Sequence, residues 1–167
     1  MKKAIAILMA VSLLLAAASC VKSEEKTTSS PDVSVSDTVN AKSCEEIFNT
    51  VKGVINFPSM VSVKEKSLSN RYGIESNMYK DYIFMTAEEA TLADTFILIL
   101  ANDSESKDTI IEKLNNFITQ SQETNVNYNP DQYEIIKNAS VKTEGNYVYL
   151  VFSSDMDTIE EMIRENI

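Results

Sequence analysis

The chain has 167 residues, 44% hydrophobic and 24% charged, and its 15 Lys and Arg against 25 Asp and Glu leave a formal charge of −10 with no histidine. So acidic a chain is not drawn to phosphate backbones, and nucleic acid is not expected as a partner. Without histidine there is no Ser-His or Cys-His nucleophile pair and no histidine-ligated zinc, and the three dispersed glycines, Gly53, Gly73 and Gly145, cannot build a phosphate-cradling loop.

In chain order, Lys2-Lys3 precede an apolar run from Ala4, which ends in Ala17-Ala18-Ser19-Cys20. This is the charged, apolar and small-residue order of a secretory signal, and the run is shorter than the roughly 20 apolar residues a spanning helix needs. Small residues before a cysteine make a lipobox. Residues 1–19 are therefore predicted to be a lipoprotein signal peptide and Cys20 the lipid-attachment residue, which makes the membrane a partner through its extracytoplasmic face. A diacylglycerol and an N-acyl chain together would satisfy the two-signal requirement for stable anchoring.

From Val21 to about Lys42 the sequence turns polar and rich in Ser, Thr and Glu, a composition that cannot offset its own ordering entropy. Residues 20–42 are predicted to be a lipid-anchored flexible tether with a reach of about 25 Å. Residues 43–167 are predicted to form a single domain. In it ten Lys and Arg face 21 Asp and Glu, leaving −11. With Cys20 lipidated, Cys44 has no intrachain partner, and it is read as a small buried hydrophobe.

Within the domain, Ser43 and Glu46 form a capping box ahead of Ile47, Val51, Val54 and Ile55, which predicts a helix over 44–56 stopped by Pro58. A shorter helix is predicted over Glu65 to Tyr72, with Gly73 as its left-handed stop. Two β-rich runs follow, Asp81 to Thr86 and Thr95 to Ala101, joined by Ala87 to Asp94 with a helical turn at Glu88 to Ala90. Ser104 is expected to cap a helix carrying Ile110, Ile111, Leu114, Phe117 and Ile118, which ends near the polar Ser121 to Asn129 stretch. Pro130 opens a short helix with Tyr133, Ile135 and Ile136. Val141 to Thr143 and Tyr147 to Ser153 flank Glu144-Gly145-Asn146, a hairpin signal, and Ser154 or Asp155 caps a last helix with Met156, Ile159, Met162 and Ile163 at helical spacing. The order ααββααββα predicts an α+β fold: a two-layer domain with a four-stranded, mainly antiparallel sheet packed with several helices.

In Phe96-Ile97-Leu98-Ile99-Leu100 and in Tyr147 to Phe152 both alternating sets are apolar or aromatic, so these strands are expected to be covered on both faces. Either the short helices cover the second face, or Tyr82, Phe84, Tyr147 and Tyr149 line a partner or dimer surface. The carboxylate pairs Glu45-Glu46, Glu88-Glu89 and Glu160-Glu161 point in different directions on a helix and read as solvated faces. Asp103 to Asp108 and Asp155-Met156-Asp157 lack the glycine and closing glutamate of a calcium loop and are better explained as helix caps. Asn102-Asp103-Ser104 and Asn138-Ala139-Ser140 match a glycosylation sequon, which a bacterial lipoprotein does not ordinarily present to that machinery. No catalytic, metal or cofactor-binding residue is predicted.

The lipobox, the polar tether, Tyr72-Gly73-Ile74, the two-strand unit, the amphipathic helix, the Tyr133-containing helix and Glu144-Gly145-Asn146-Tyr147-Val148-Tyr149-Leu150-Val151 resemble a family of small clostridial-type lipoproteins. That family carries a domain of unknown function, number 4358. The resemblance extends from about Glu45 to Ile167. It implies a cell-surface lipoprotein of Gram-positive bacteria, supplies no catalytic residue and does not include Cys44. The expected function is a non-enzymatic binding or accessory domain at the cell surface, with an extracytoplasmic protein or envelope ligand as partner. The alternatives are a carboxylate-dependent envelope hydrolase and a structural envelope lipoprotein.

Overall fold

The computed structural model describes residues 42–167; the predicted signal peptide, most of the tether and Cys20 lie outside the described residues. The elements are α1 (Cys44–Lys52), β1 (Met60–Ser62), α2 (Glu65–Tyr72), β2 (Tyr79–Ala87), β3 (Thr95–Ala101), α3 (Ser104–Tyr128), α4 (Pro130–Ile136), β4 (Lys142–Glu144), β5 (Tyr147–Phe152) and α5 (Met156–Asn166). The strands make one antiparallel sheet in the order β1-β2-β3-β5-β4.

The fold is α+β as expected, with five strands rather than four. The added strand is β1, whose three residues pair with Met85, Thr86 and Ala87. A run this short, mostly exposed on an edge, has no periodicity of its own and forms only because β2 offers it a ladder.

Local signals decided most boundaries. The Ser43 hydroxyl accepts from the Glu46 amide while the Glu46 carboxylate accepts from the Ser43 amide at 2.8 Å, a complete capping box. The helix stops at Lys52 and not before Pro58. Gly53 is the cap, where the entropy of glycine disfavours continuing, and Val54, expected on the buried stripe, is 70% exposed. Gly73 closes α2 at φ +66° and Gly145 turns the β4–β5 hairpin at φ +55°, left-handed values that glycine adopts without Cβ strain. No helical turn forms between Glu88 and Ala90, where the chain runs through bends and a turn.

The largest departure is α3. Its cap is Asp103, whose carboxylate accepts from the Ser106 amide at 2.8 Å, and it continues through the polar stretch expected to end it, as far as Tyr128. No Gly or Pro interrupts that stretch. Thr124 and Asn125 return their side-chain donors to the carbonyls of Gln120 and Ser121, and α4 packs against the same segment.

The helices divide between the two faces of the sheet, which gives three layers where two were expected. On one face α2, α3 and α4 cover Phe84, Ile97, Ile99, Val148, Leu150 and Phe152. On the other, α1 and α5 cover Ile83, Phe96, Leu98, Tyr149 and Val151. Alternation along β2, β3 and β5 thus feeds two cores, the physical reason both sets of side chains are apolar.

Candidate functional site

The four aromatic residues expected to share a surface are split by the sheet. Tyr82 and Phe84 point into the α2/α3/α4 core, whereas Tyr147 and Tyr149 point into the α1/α5 core. Phe84 is fully buried and Tyr149 is 3% exposed, and the Tyr82 hydroxyl donates to the Val63 carbonyl at 3.3 Å. They do not come together as one surface.

Cys44 is buried at the start of α1, where its amide donates to the Asp81 carboxylate at 2.7 Å. Burial, then the neighbouring Asp81 charge, push its thiol far above the ordinary range, which disfavours the reactive thiolate. In a Cys20→Ser chain, the aromatic disulfide reagent DTNB should label Cys44 only after denaturation; rapid labelling of the folded chain would contradict this packing.

Glu160 is a poorly satisfied carboxylate. Its Oε1 is buried without a hydrogen-bond partner among the described residues, and Oε2 lies 3.9 Å from Lys142 Nζ. Burial raises its carboxyl above the usual value, with Asp157 adding to the shift and Lys142 and Arg164 opposing it. A raised carboxyl holds its proton more tightly folded than unfolded, so this site's contribution to stability falls as pH rises above the ordinary carboxylate range. Glu160→Gln should therefore be more stable than the parent at about pH 7 and equal to it near pH 3.5, in urea titrations at both values; equal stability at both would refute it.

A concavity lies elsewhere among the described residues, at the end of the sheet where β2 finishes, β3 begins and β5 finishes. It is a groove of about 500 Å³ walled by the last turn of α2, the β2–β3 loop and the C-terminal half of α3, within the usual size range of small-ligand sites. Its floor is aromatic: Tyr72 meets Phe117 at 5.3 Å edge-on and Phe117 stacks on Phe152 at 5.4 Å. On its rim are Arg71, Glu88, Asp94, Gln120 and Ser121.

The loop that forms one wall is tied down along its length. The Ala87 amide donates to the Asp94 carbonyl at 2.8 Å, the Ala93 amide to Gln132 Oε1 at 2.6 Å, and Asn129 Nδ2 to the Thr91 carbonyl at 2.8 Å. The wall is thus held by hydrogen bonds from two separate segments, the end of β2 and the start of α4. Asp94 is half-buried beside it; burial raises its carboxyl, and repulsion from Asp155 adds to the effect. Arg71 lies with Cζ 5.9 Å from the centre of the Tyr72 ring. Among the described residues the only ion pairs are Lys137–Glu134 and Lys142–Glu160, so neither Arg71 nor Asp94 has an oppositely charged partner. No group of three or more metal-ligating side chains is assembled among the described residues.

Of these rim residues the sequence reading weighed only Glu88, in the Glu88-Glu89 pair read as a solvated face, and placed none of them at a site. The signal was present in α3: once Ser121 to Asn125 is recognised as helix, Phe117, Gln120, Ser121 and Thr124 fall at i, i+3, i+4 and i+7 on one face.

A family model described as a domain of unknown function (DUF4358) matches residues 54–153. The match begins just after α1 and ends just after β5, narrower than the Glu45–Ile167 span of the sequence resemblance, and it contains every residue lining the groove. No curated protein and no solved structure matches the chain.

Proposed function

This chain belongs to the family of the domain of unknown function DUF4358, and on that footing we propose that it is a clostridial-type lipoprotein. In this reading it is lipid-anchored through Cys20 at the extracytoplasmic face of a Gram-positive cell membrane, and it works as a non-enzymatic binding domain whose site is the groove. The observation that carries this reading is the groove's position. The chain enters the domain where Lys42 Nζ donates to Asn166 Oδ1 and the Cys44 amide meets Asp81. The groove opens at the other end of β2, past Thr86 and Ala87, about 20 Å along the strand. A tether joining the domain at the first end would leave the groove, at the far end of the strand, clear of the attachment point.

Two measurements test this. Cys20→Ser is expected to move the protein from the membrane to the soluble fraction, and persistent membrane association would overturn the anchor. A photo-crosslinking residue at Thr124, in the groove, is expected to capture one recurrent envelope molecule in native membranes, while the same residue at Lys80, at the entry end, is not. Bulk membrane protein from both positions would overturn the binding reading.

A second reading, a carboxylate-dependent envelope hydrolase, is favoured by Glu88 and Asp94 lining one concavity with the Asp94 carboxyl raised, the pairing of acids that glycoside hydrolysis uses. Turnover of glycan by the parent chain, abolished in Asp94→Asn, would establish it over the first.

A further inference from the structure

Resting on the groove as the binding site, we propose that its ligand is a short peptide with both termini free, its carboxylate held by Arg71 and its ammonium by Asp94 with Glu88. Three features of the groove select this class. First, it carries one cation and two carboxylates, and neither Arg71 nor Asp94 has an ion-pair partner among the described residues. A purely apolar ligand would leave both uncompensated while desolvating them, a costly arrangement. A purely anionic ligand would approach a domain of charge −11, against the field. A zwitterion matches both signs, and a guanidinium is the side chain best shaped to take a carboxylate bidentately.

Second, the polar groups left free suit a peptide bond. Thr124 and Asn125 donate to carbonyls of their own helix, but no hydrogen bond engages the side chains of Gln120 or Ser121 among the described residues. The Gln120 amide offers a donor and an acceptor together, the complement of a peptide unit. Third, the ring faces on the floor are taken up internally. Phe117 is stacked on Phe152 with an interplanar angle of 24°, and Tyr72 is turned at 80° to Phe117 with Arg71 near its ring. Faces so used are not platforms for a sugar ring, while their edges still offer apolar area to a peptide side chain.

The test is calorimetric titration of the full chain, purified in detergent, with the tripeptide Ala-Leu-Ala and its N-acetylated and C-amidated forms. Affinity for the free tripeptide is expected to fall at least about tenfold on blocking either end, the scale of one lost charged hydrogen bond. Arg71→Ala should bind the acid and the amide equally, and Asp94→Asn should bind the free and acetylated amines equally. Thermal unfolding of each variant checks folding, and Glu88→Gln provides a second probe of the ammonium end should Asp94→Asn fail to fold. Equal binding of free and blocked tripeptides, or binding unchanged in both variants, would overturn the proposal. If no tripeptide binds but chitotriose does, the peptide assignment falls and the groove stands; if neither binds and crosslinking from Thr124 captures nothing recurrent, both fall.

Discussion

Replacing Phe84 with alanine is expected to lower the unfolding free energy by about 3–5 kcal/mol, the range for a buried phenylalanine removed from a packed core. Phe84 sits in the middle of β2 with no solvent exposure, its ring 4.6 Å from Tyr72 and 5.9 Å from Phe117. Those two rings are held from α2 and α3, so the lost side chain leaves a void between elements that cannot close without moving a helix. In urea the midpoint should fall at nearly constant slope, the mark of lost stability in an otherwise similar native state. The same variant separates packing from recognition. Were Phe84 a contact for a partner, its removal would weaken association and leave the isolated protein nearly as stable; a loss under about 1 kcal/mol would contradict the core placement.

Phe96→Ala should cost a similar amount, again about 3–5 kcal/mol, for a different reason of place. Phe96 is the next strand over but faces the other way, 4.9 Å from Phe48 and 6.4 Å from Phe57, and its loss loosens α1. The two rings lie in separate cores and share no partner in either, so their effects should add to within about 0.5 kcal/mol. Added together they reach the whole stability of an ordinary domain, about 5–15 kcal/mol. The double variant is therefore expected to show no cooperative urea transition, whereas each single variant keeps one. A cooperative transition retained in the double variant would mean that the two losses do not add and that the sheet does not insulate the cores.

Much of this architecture was legible locally. The Ser43/Glu46 box, Gly73 and the Glu144-Gly145-Asn146 turn each specify their own geometry through hydrogen bonds or a positive φ spanning a few residues, and the structure places all three as read. The extension of α3 was missed because its polar half carries no apolar stripe. It stays helical through the absence of a breaker before Pro130 and through its packing with α4. β1 was missed because Met60–Ser62 becomes a strand only by pairing with residues more than 20 positions away.

The groove belongs to that second kind. Arg71, Asp94, Gln120 and Phe152 come from three elements and the β2–β3 loop, and no spacing in the chain relates them. By itself the sequence determined the five helices and four of the five strands in their order, the two-faced burial of the central strands and the absence of any histidine chemistry, because composition, caps and alternation act within a turn or a strand. The tertiary structure alone decided which helices cover which face, that Phe84 and Tyr149 are core residues on opposite sides, and that an uncompensated cation and carboxylate share one aromatic-floored groove. Those depend on long-range closure, in which contacts distant along the chain are chosen by how whole surfaces fit and not by the periodicity of any one segment.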